Sequence, residues 1–149
     1  MSTTRTNPAL LPKKILIAFD GSENANRALE YGIELAKKLG ASIILLHVVD
    51  LPRAGYGFNI PISMEDRFKE IGKGLLSKGE EKLKQSGLDY EVDLSSGDPA
   101  QTILLTAEDK FCGLILMGRR GLGRMDRLLL GSVSDKVAKH SSVPVLILK

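Results

Sequence analysis

The chain of 149 residues holds a single cysteine, Cys112. A lone thiol excludes an intramolecular disulfide framework and any zinc site built on paired thiolates. Long apolar stretches are missing too: the longest run about half a dozen residues, against the ~20 needed to span a bilayer as a helix. Charge of one sign is not in marked excess, since 21 Lys plus Arg against 18 Asp plus Glu leave a net charge of +3. Nucleic-acid binders gather positive charge on one face or in a tail, whereas here it is scattered apart from a cluster at Arg119–Arg127. Neither nucleic acid nor a membrane is therefore expected as a partner. Residues 1–12 carry Arg5 but no apolar core of signal-peptide length. The expectation is a reduced, cytoplasmic protein with a flexible N-terminal tail at 1–12 and one domain at 13–149.

The chain does have a regular alternation of short apolar runs and amphipathic segments. KILIAFD (Lys14–Asp20) and SIILLHVV (Ser42–Val49) read as buried strands. Between them, apolar residues recur at helical spacing from Ala25 to Leu39, with Ser22 as N-cap and Gly40 as the stop. Asp50–Ile62 is a Pro- and Gly-rich loop, and Ser63–Ser86 a charged helix that Gly72, Gly74 and Gly79 should make irregular. Asp89–Leu94 alternates, with Tyr90, Val92 and Leu94 facing one way, as in an edge strand. Asp98-Pro99 starts a helix over Ala100–Asp109. Gly113–Met117 is a strand, Ser132–His140 a helix and Val143–Leu148 the last strand. Strands alternating with helices, joined by right-handed crossovers, give an α/β fold with a parallel sheet covered on both faces.

Such sheets bind ligands at the carboxyl ends of their strands, where strand order reverses. Two strand ends stand out: Asp20-Gly21-Ser22, and Gly118-Arg119-Arg120-Gly121 followed nine residues later by Gly131-Ser132. Gly118 and Gly121 let backbone amides approach an anion without a Cβ in the way. Gly131-Ser132 falls at the start of a helix, whose free N–H groups and partial positive charge suit phosphate. Arg119, Arg120, Arg124 and Arg127 add charge nearby. Other nucleotide motifs do not fit. There is no G-x-x-x-x-G-K-[ST], the stretch Gly121–Asp126 lacks the third glycine of a Rossmann fingerprint, and Asp20 has no acidic neighbour as in receiver domains.

The spacing G-x2-G-x9-G-[ST], met by Gly118, Gly121, Gly131 and Ser132, resembles that of ATP-binding universal stress proteins. KILIAFDGSENANRAL, LLHVVD and LLGSVSDKVAKHSSVPVLIL extend the resemblance along the chain in the right order. It implies an open, twisted, five-stranded parallel sheet of order 3-2-1-4-5 with helices on both faces, a Rossmann-like fold of the adenine nucleotide alpha hydrolase type. It also implies adenine-nucleotide binding (ATP, with AMP or ADP as alternatives, and Mg2+ carried on the phosphates). Asp20 would lie on the ribose side. Ala18 and Val48 would line the adenine pocket, with the Val48 backbone near the base. Met117, Gly118, Gly121, Gly131, Ser132 and Val133 would hold ribose and phosphates. Members of this kind are homodimers through the last strand.

The residues also carry plainer readings. The glycines can be turn glycines, Asp20 a turn carboxylate, and the arginines a solvated loop. His47, within an apolar strand, reads as a packed core histidine, and Cys112 as an inert small hydrophobe. His140 suits its helix C-terminus. Tyr56 and Phe58 read as loose loop residues. The leading expectation is a homodimeric, nucleotide-dependent regulator of the stress response, acting on a protein partner that the sequence does not name. Slow ATP hydrolysis or phosphoryl transfer, and a dimeric interaction module needing no nucleotide, are the alternatives.

Overall fold

A computed structural model describes residues 10–51, 62–119 and 131–149. Among these residues five strands and four helices alternate: β1 (Lys14–Ala18), α1 (Glu23–Leu39), β2 (Ser42–Val49), α2 (Ile62–Ser86), β3 (Tyr90–Ser96), α3 (Pro99–Asp109), β4 (Leu114–Gly118), α4 (Ser132–His140) and β5 (Val145–Leu148). All pairings are parallel, in the order β3-β2-β1-β4-β5. Strand order therefore reverses between β1 and β4.

Each element follows from local chemistry. Ser22 caps α1 by accepting from the Ala25 N–H at 3.1 Å, and Gly40 closes it in the left-handed region at φ 66°. Asp98 caps α3 by accepting from the Gln101 N–H at 3.0 Å, with Pro99 at the first helical position. The middle strands are apolar on both faces because both faces are covered. Ile15, Ile17, Ile43, Leu45 and Leu116 face α1 and α2. Leu16, Ile44, Leu46, Ile115 and Met117 face α3 and α4. Tyr90, Val92 and Leu94 pack on the α1/α2 side, as their alternation required.

The structure departs from the pattern in three places. α2 runs unbroken from Ile62 to Ser86 despite its glycines. Two of these, Gly72 and Gly79, are buried. A Cβ on Gly79 would lie 3.0 Å from Leu45 Cδ2 and 3.1 Å from the Phe19 ring, so the helix backbone sits close against the sheet there. That packing offsets the ~1 kcal/mol that Gly72 and Gly79 each cost in helix propensity. Ser95 and Ser96 extend β3 instead of forming a turn, because they pair with Val48 and Val49. β1 stops at Ala18, two residues short of Asp20.

Candidate functional site

A cleft of about 300 Å3 opens over the carboxyl ends of β1 and β4, at the reversal of strand order. Its apolar wall is Ala18, Leu46, Val48, Ile103 and Met117, with Pro99 at the start of α3. Its polar rim is Asp20 and Ser22 on one side and Arg119, Gly131, Ser132 and Ser134 on the other.

The apolar wall ends in a pair of main-chain polar groups. The Ser42 N–H bonds to the Lys13 carbonyl, and the Leu46 carbonyl accepts from the Phe19 N–H at 2.8 Å. Even-numbered residues of β2 therefore turn their main-chain groups toward β1. Odd-numbered residues turn to β3, as the bonds of Ile43 N–H to Asp89 and Gly97 N–H to Val49 show. Val48 is even-numbered, and β1 has already ended where Val48 would pair. Its N–H and C=O thus face the gap past β1, within the cleft.

The polar rim is held by hydrogen bonds at its edges. Asp20 Oδ1 accepts from the Ser22 N–H at 2.9 Å, an Asx turn that carries the chain from β1 into α1. Across the cleft, the Arg119 carbonyl accepts from the Gly131 N–H at 2.9 Å and from the Ser134 hydroxyl at 2.7 Å. The Ser134 hydroxyl also lies 3.0 Å from the Gly131 carbonyl. These bonds close the neck of the segment between Arg119 and Gly131. The Arg119 N–H donates to the Leu148 carbonyl of β5 at 2.6 Å. Gly131 caps α4 with extended backbone (φ −62°, ψ 154°) and brings no side chain to satisfy the helix start. The Ser132 and Val133 N–H groups have no acceptor among the described residues, so the positive end of α4 is left facing the cleft.

Ala18, Asp20, Val48, Met117, Gly118, Gly131, Ser132 and Val133, drawn from four separate stretches of sequence, all line this one cleft. Gly121 lies outside the described residues, as do Arg120, Arg124, Arg127, Tyr56 and Phe58. Two reasons given for the glycines need correction. A Cβ on Gly118 would meet Asn24 Cβ at 2.7 Å and the Asn24 carbonyl carbon at 2.8 Å. Gly118 therefore makes room for the first turn of α1, not for a ligand. The Gly131 N–H is spent on Arg119, so an anion at this rim would meet the next two amides instead.

The sequence reading also missed residues. Ser134, 2% exposed, was hidden inside an ordinary-looking helix; only its place two residues after the motif pointed to it. His47 is not a fully packed core residue: it lines the cleft and its Nδ1 lies 2.7 Å from the Phe19 carbonyl oxygen. Cys112 is buried, and loss of solvation pushes its thiol up to about 11, so it stays protonated and inert. Among the described residues no cluster of His, Cys, Asp and Glu is arranged to hold a metal ion, and no helix is long and apolar enough to cross a membrane.

Fold and cleft together define an open, doubly wound α/β domain with its ligand crevice at the reversal of strand order. The chain belongs to the universal stress protein family, whose model matches residues 12–149. Universal stress protein YxiE of Bacillus subtilis is 34% identical over 145 residues, covering 91% of this chain and 98% of that protein. The solved structure of MJ0577, a universal stress protein of Methanocaldococcus jannaschii, superposes with a TM-score of 0.82 at 31% identity, covering 92% of this chain and 95% of that one. A universal stress protein of Archaeoglobus fulgidus, solved in complex with dAMP, shares the fold at 23% identity and a TM-score of 0.69, covering 94% of this chain and 99% of that one.

Proposed function

We propose that this protein binds an adenine nucleotide, ATP foremost, in the cleft between β1 and β4 and works as a homodimeric, nucleotide-dependent regulator in the cytoplasmic stress response. One observation carries the reading. Three unlike features meet in one crevice: an apolar slot, an unpaired main-chain donor–acceptor pair at Val48, and the open amino end of α4. A base needs the first two and a phosphate chain needs the third. The slot between Ala18, Val48 and Met117 takes the purine. Adenine offers a 6-amino donor beside the N1 acceptor, which matches the C=O and N–H of Val48. Asp20 accepts from the ribose hydroxyls. The Ser132 and Val133 amides, the Ser132 hydroxyl and Arg119 receive the phosphates. Gly121, outside the described residues, is assigned to the phosphates by the motif alone. Mg2+ arrives on the phosphates, with Asp20 the one carboxylate among the described residues that line the cleft.

The dimer follows from β5. Among the described residues it pairs only with β4 and ends the sheet, with Leu146 and Leu148 apolar on one face and Val145 and Ile147 on the other. A bare apolar edge invites aggregation, and pairing with the same strand of a second copy removes it with two-fold symmetry.

The test is to denature freshly purified protein, identify any released nucleotide by mass spectrometry, and titrate the emptied protein with ATP. Binding without turnover is expected. ATP at a hundred times its Kd should then raise stability by ~2.7 kcal/mol, a rise in Tm of roughly 5–10 °C for a domain of this size. Steady ADP release with Mg2+ would make the protein an enzyme instead. No uptake and no thermal shift would leave it an interaction module. Sedimentation of the wild-type chain as a monomer would remove the β5 pairing.

A further inference from the structure

The His47 ring occupies a position that the sheet ladder would otherwise use. In a parallel ladder, the rung after Phe19 N–H to Leu46 C=O is Val48 N–H to Phe19 C=O. That rung is not formed. The Phe19 carbonyl instead accepts from His47 Nδ1 at 2.7 Å. A carbonyl oxygen cannot donate, so the ring's Nδ1 carries the hydrogen. The ring is held in place from α2: a Cβ on Gly72 would lie 3.0 Å from His47 Cδ2, with Leu94 and Val49 side chains at 2.8 and 3.3 Å beside it. Glycine at position 72 thus leaves the space in which the imidazole stands.

We propose that His47 is a positioning residue that sets base specificity: by capping the Phe19 carbonyl it keeps the Val48 N–H unpaired and, with the Val48 C=O beside it, available to a 6-aminopurine. The inference rests on the nucleotide reading above and deepens it. A 6-oxopurine presents an acceptor at position 6 and an N1–H donor, so each would face a like group of Val48. Buried donor facing donor and acceptor facing acceptor is the arrangement by which sites reject a near-isosteric ligand. Without the ring, the Phe19 carbonyl is free to serve as the ladder acceptor for the Val48 N–H. The strand edge then closes on itself, and the contrast between the two base types is lost.

The experiment compares ATP and ITP by calorimetry on nucleotide-free wild-type, His47→Ala and His47→Asn proteins, each checked for folding by its melting curve. Wild type is expected to prefer ATP by more than about tenfold, and His47→Ala to lose about tenfold of that ratio. His47→Asn, whose amide nitrogen donates from near the Nδ1 position, is expected to recover part of it, a rescue that bulk packing would not give. A folded His47→Ala protein with the wild-type ratio overturns the inference and leaves the nucleotide reading standing. Wild-type protein that takes up no ATP overturns both. Should His47→Ala not fold, amide hydrogen exchange on wild type decides. Val48 should exchange rapidly without ATP and slowly with it; a Val48 amide already protected in the empty protein overturns the proposal.

Discussion

The two faces of the sheet are built by opposite means. On the α1/α2 face, glycine draws chain onto chain: a Cβ on Gly32 would lie 2.5 Å from Ile17 Cδ1, and those on Gly72 and Gly79 would press on His47, Leu94, Leu45 and Phe19. On the α3/α4 face, the opening comes from chain that stops. β1 ends at Ala18 and β2 continues to Val49, which leaves Val48 without a strand partner on its β1 side and the cleft above it. Missing side chains make contact on one face; missing backbone makes space on the other. Gly118 belongs with the first group although the motif presents it as part of the second, because its absent Cβ faces Asn24.

That contrast can be broken most sharply at Gly118. Gly118→Ala must push Asn24 and the start of α1 outward, and overpacking of this kind costs about 2–3 kcal/mol. A fall in Tm of roughly 4–12 °C is expected by calorimetry, present with or without nucleotide; an unshifted Tm would return Gly118 to the ligand. Gly131→Val should behave in the reverse sense. Its extended backbone suits any residue, so the fold should lose only about 1 kcal/mol, the usual cost of a poor N-cap. ATP affinity measured by titration should nonetheless fall at least tenfold, roughly 1.4 kcal/mol. Ser134→Ala lies between the two. It removes the hydroxyl bonded to Arg119 but keeps the Gly131 N–H bond, so a loss of about 1 kcal/mol in denaturant unfolding is expected, with a few-fold weaker ATP binding. A loss of stability with ATP affinity unchanged would show that the Ser134 hydroxyl serves packing alone.

The smallest effect belongs to the closed face. The hydrogen bond and charge of Lys82 hold the Glu30 carboxyl below its ordinary range and tie α1 to α2 at 2.7 Å. A depressed folded-state value means that the pair stabilises above the unfolded carboxylate range. The gain fades as pH falls through the lowered value. Glu30→Gln should therefore lower Tm slightly at neutral pH and leave it unchanged in acid. The pair is exposed, so the difference should also shrink in high salt.

The alternation of strands and helices was legible because apolar period and capping residues are local: Ser22, Gly40 and Asp98 stand where the structure uses them. The meeting of Asp20 with Gly131 and Ser132 followed from topology, since strands one and four are neighbours at the reversal. Other features were not legible because they depend on what lies across from them. KILIAFD reads as strand through Asp20, yet it ends at Ala18 because the Asx turn at Asp20 diverts the chain. That early end exposes Val48 and gives His47 its carbonyl, and nothing in SIILLHVV reveals it. Gly72 and Gly79 of α2 read as helix weaknesses because their gain lies across from them, in β2, β3 and Phe19.

Arg119 sits between two grips. Its N–H is held by the last residue of β5, and its carbonyl by Gly131 and Ser134 at the mouth of α4. Peptide planes are stiff, so only the two torsions of a single residue separate these holds. Any displacement of Leu148, such as a second copy seated along its strand would bring, has one residue through which to reach the Ser132 and Val133 amides. A load on the outermost rung of the sheet is thus passed inward by a lever one residue long.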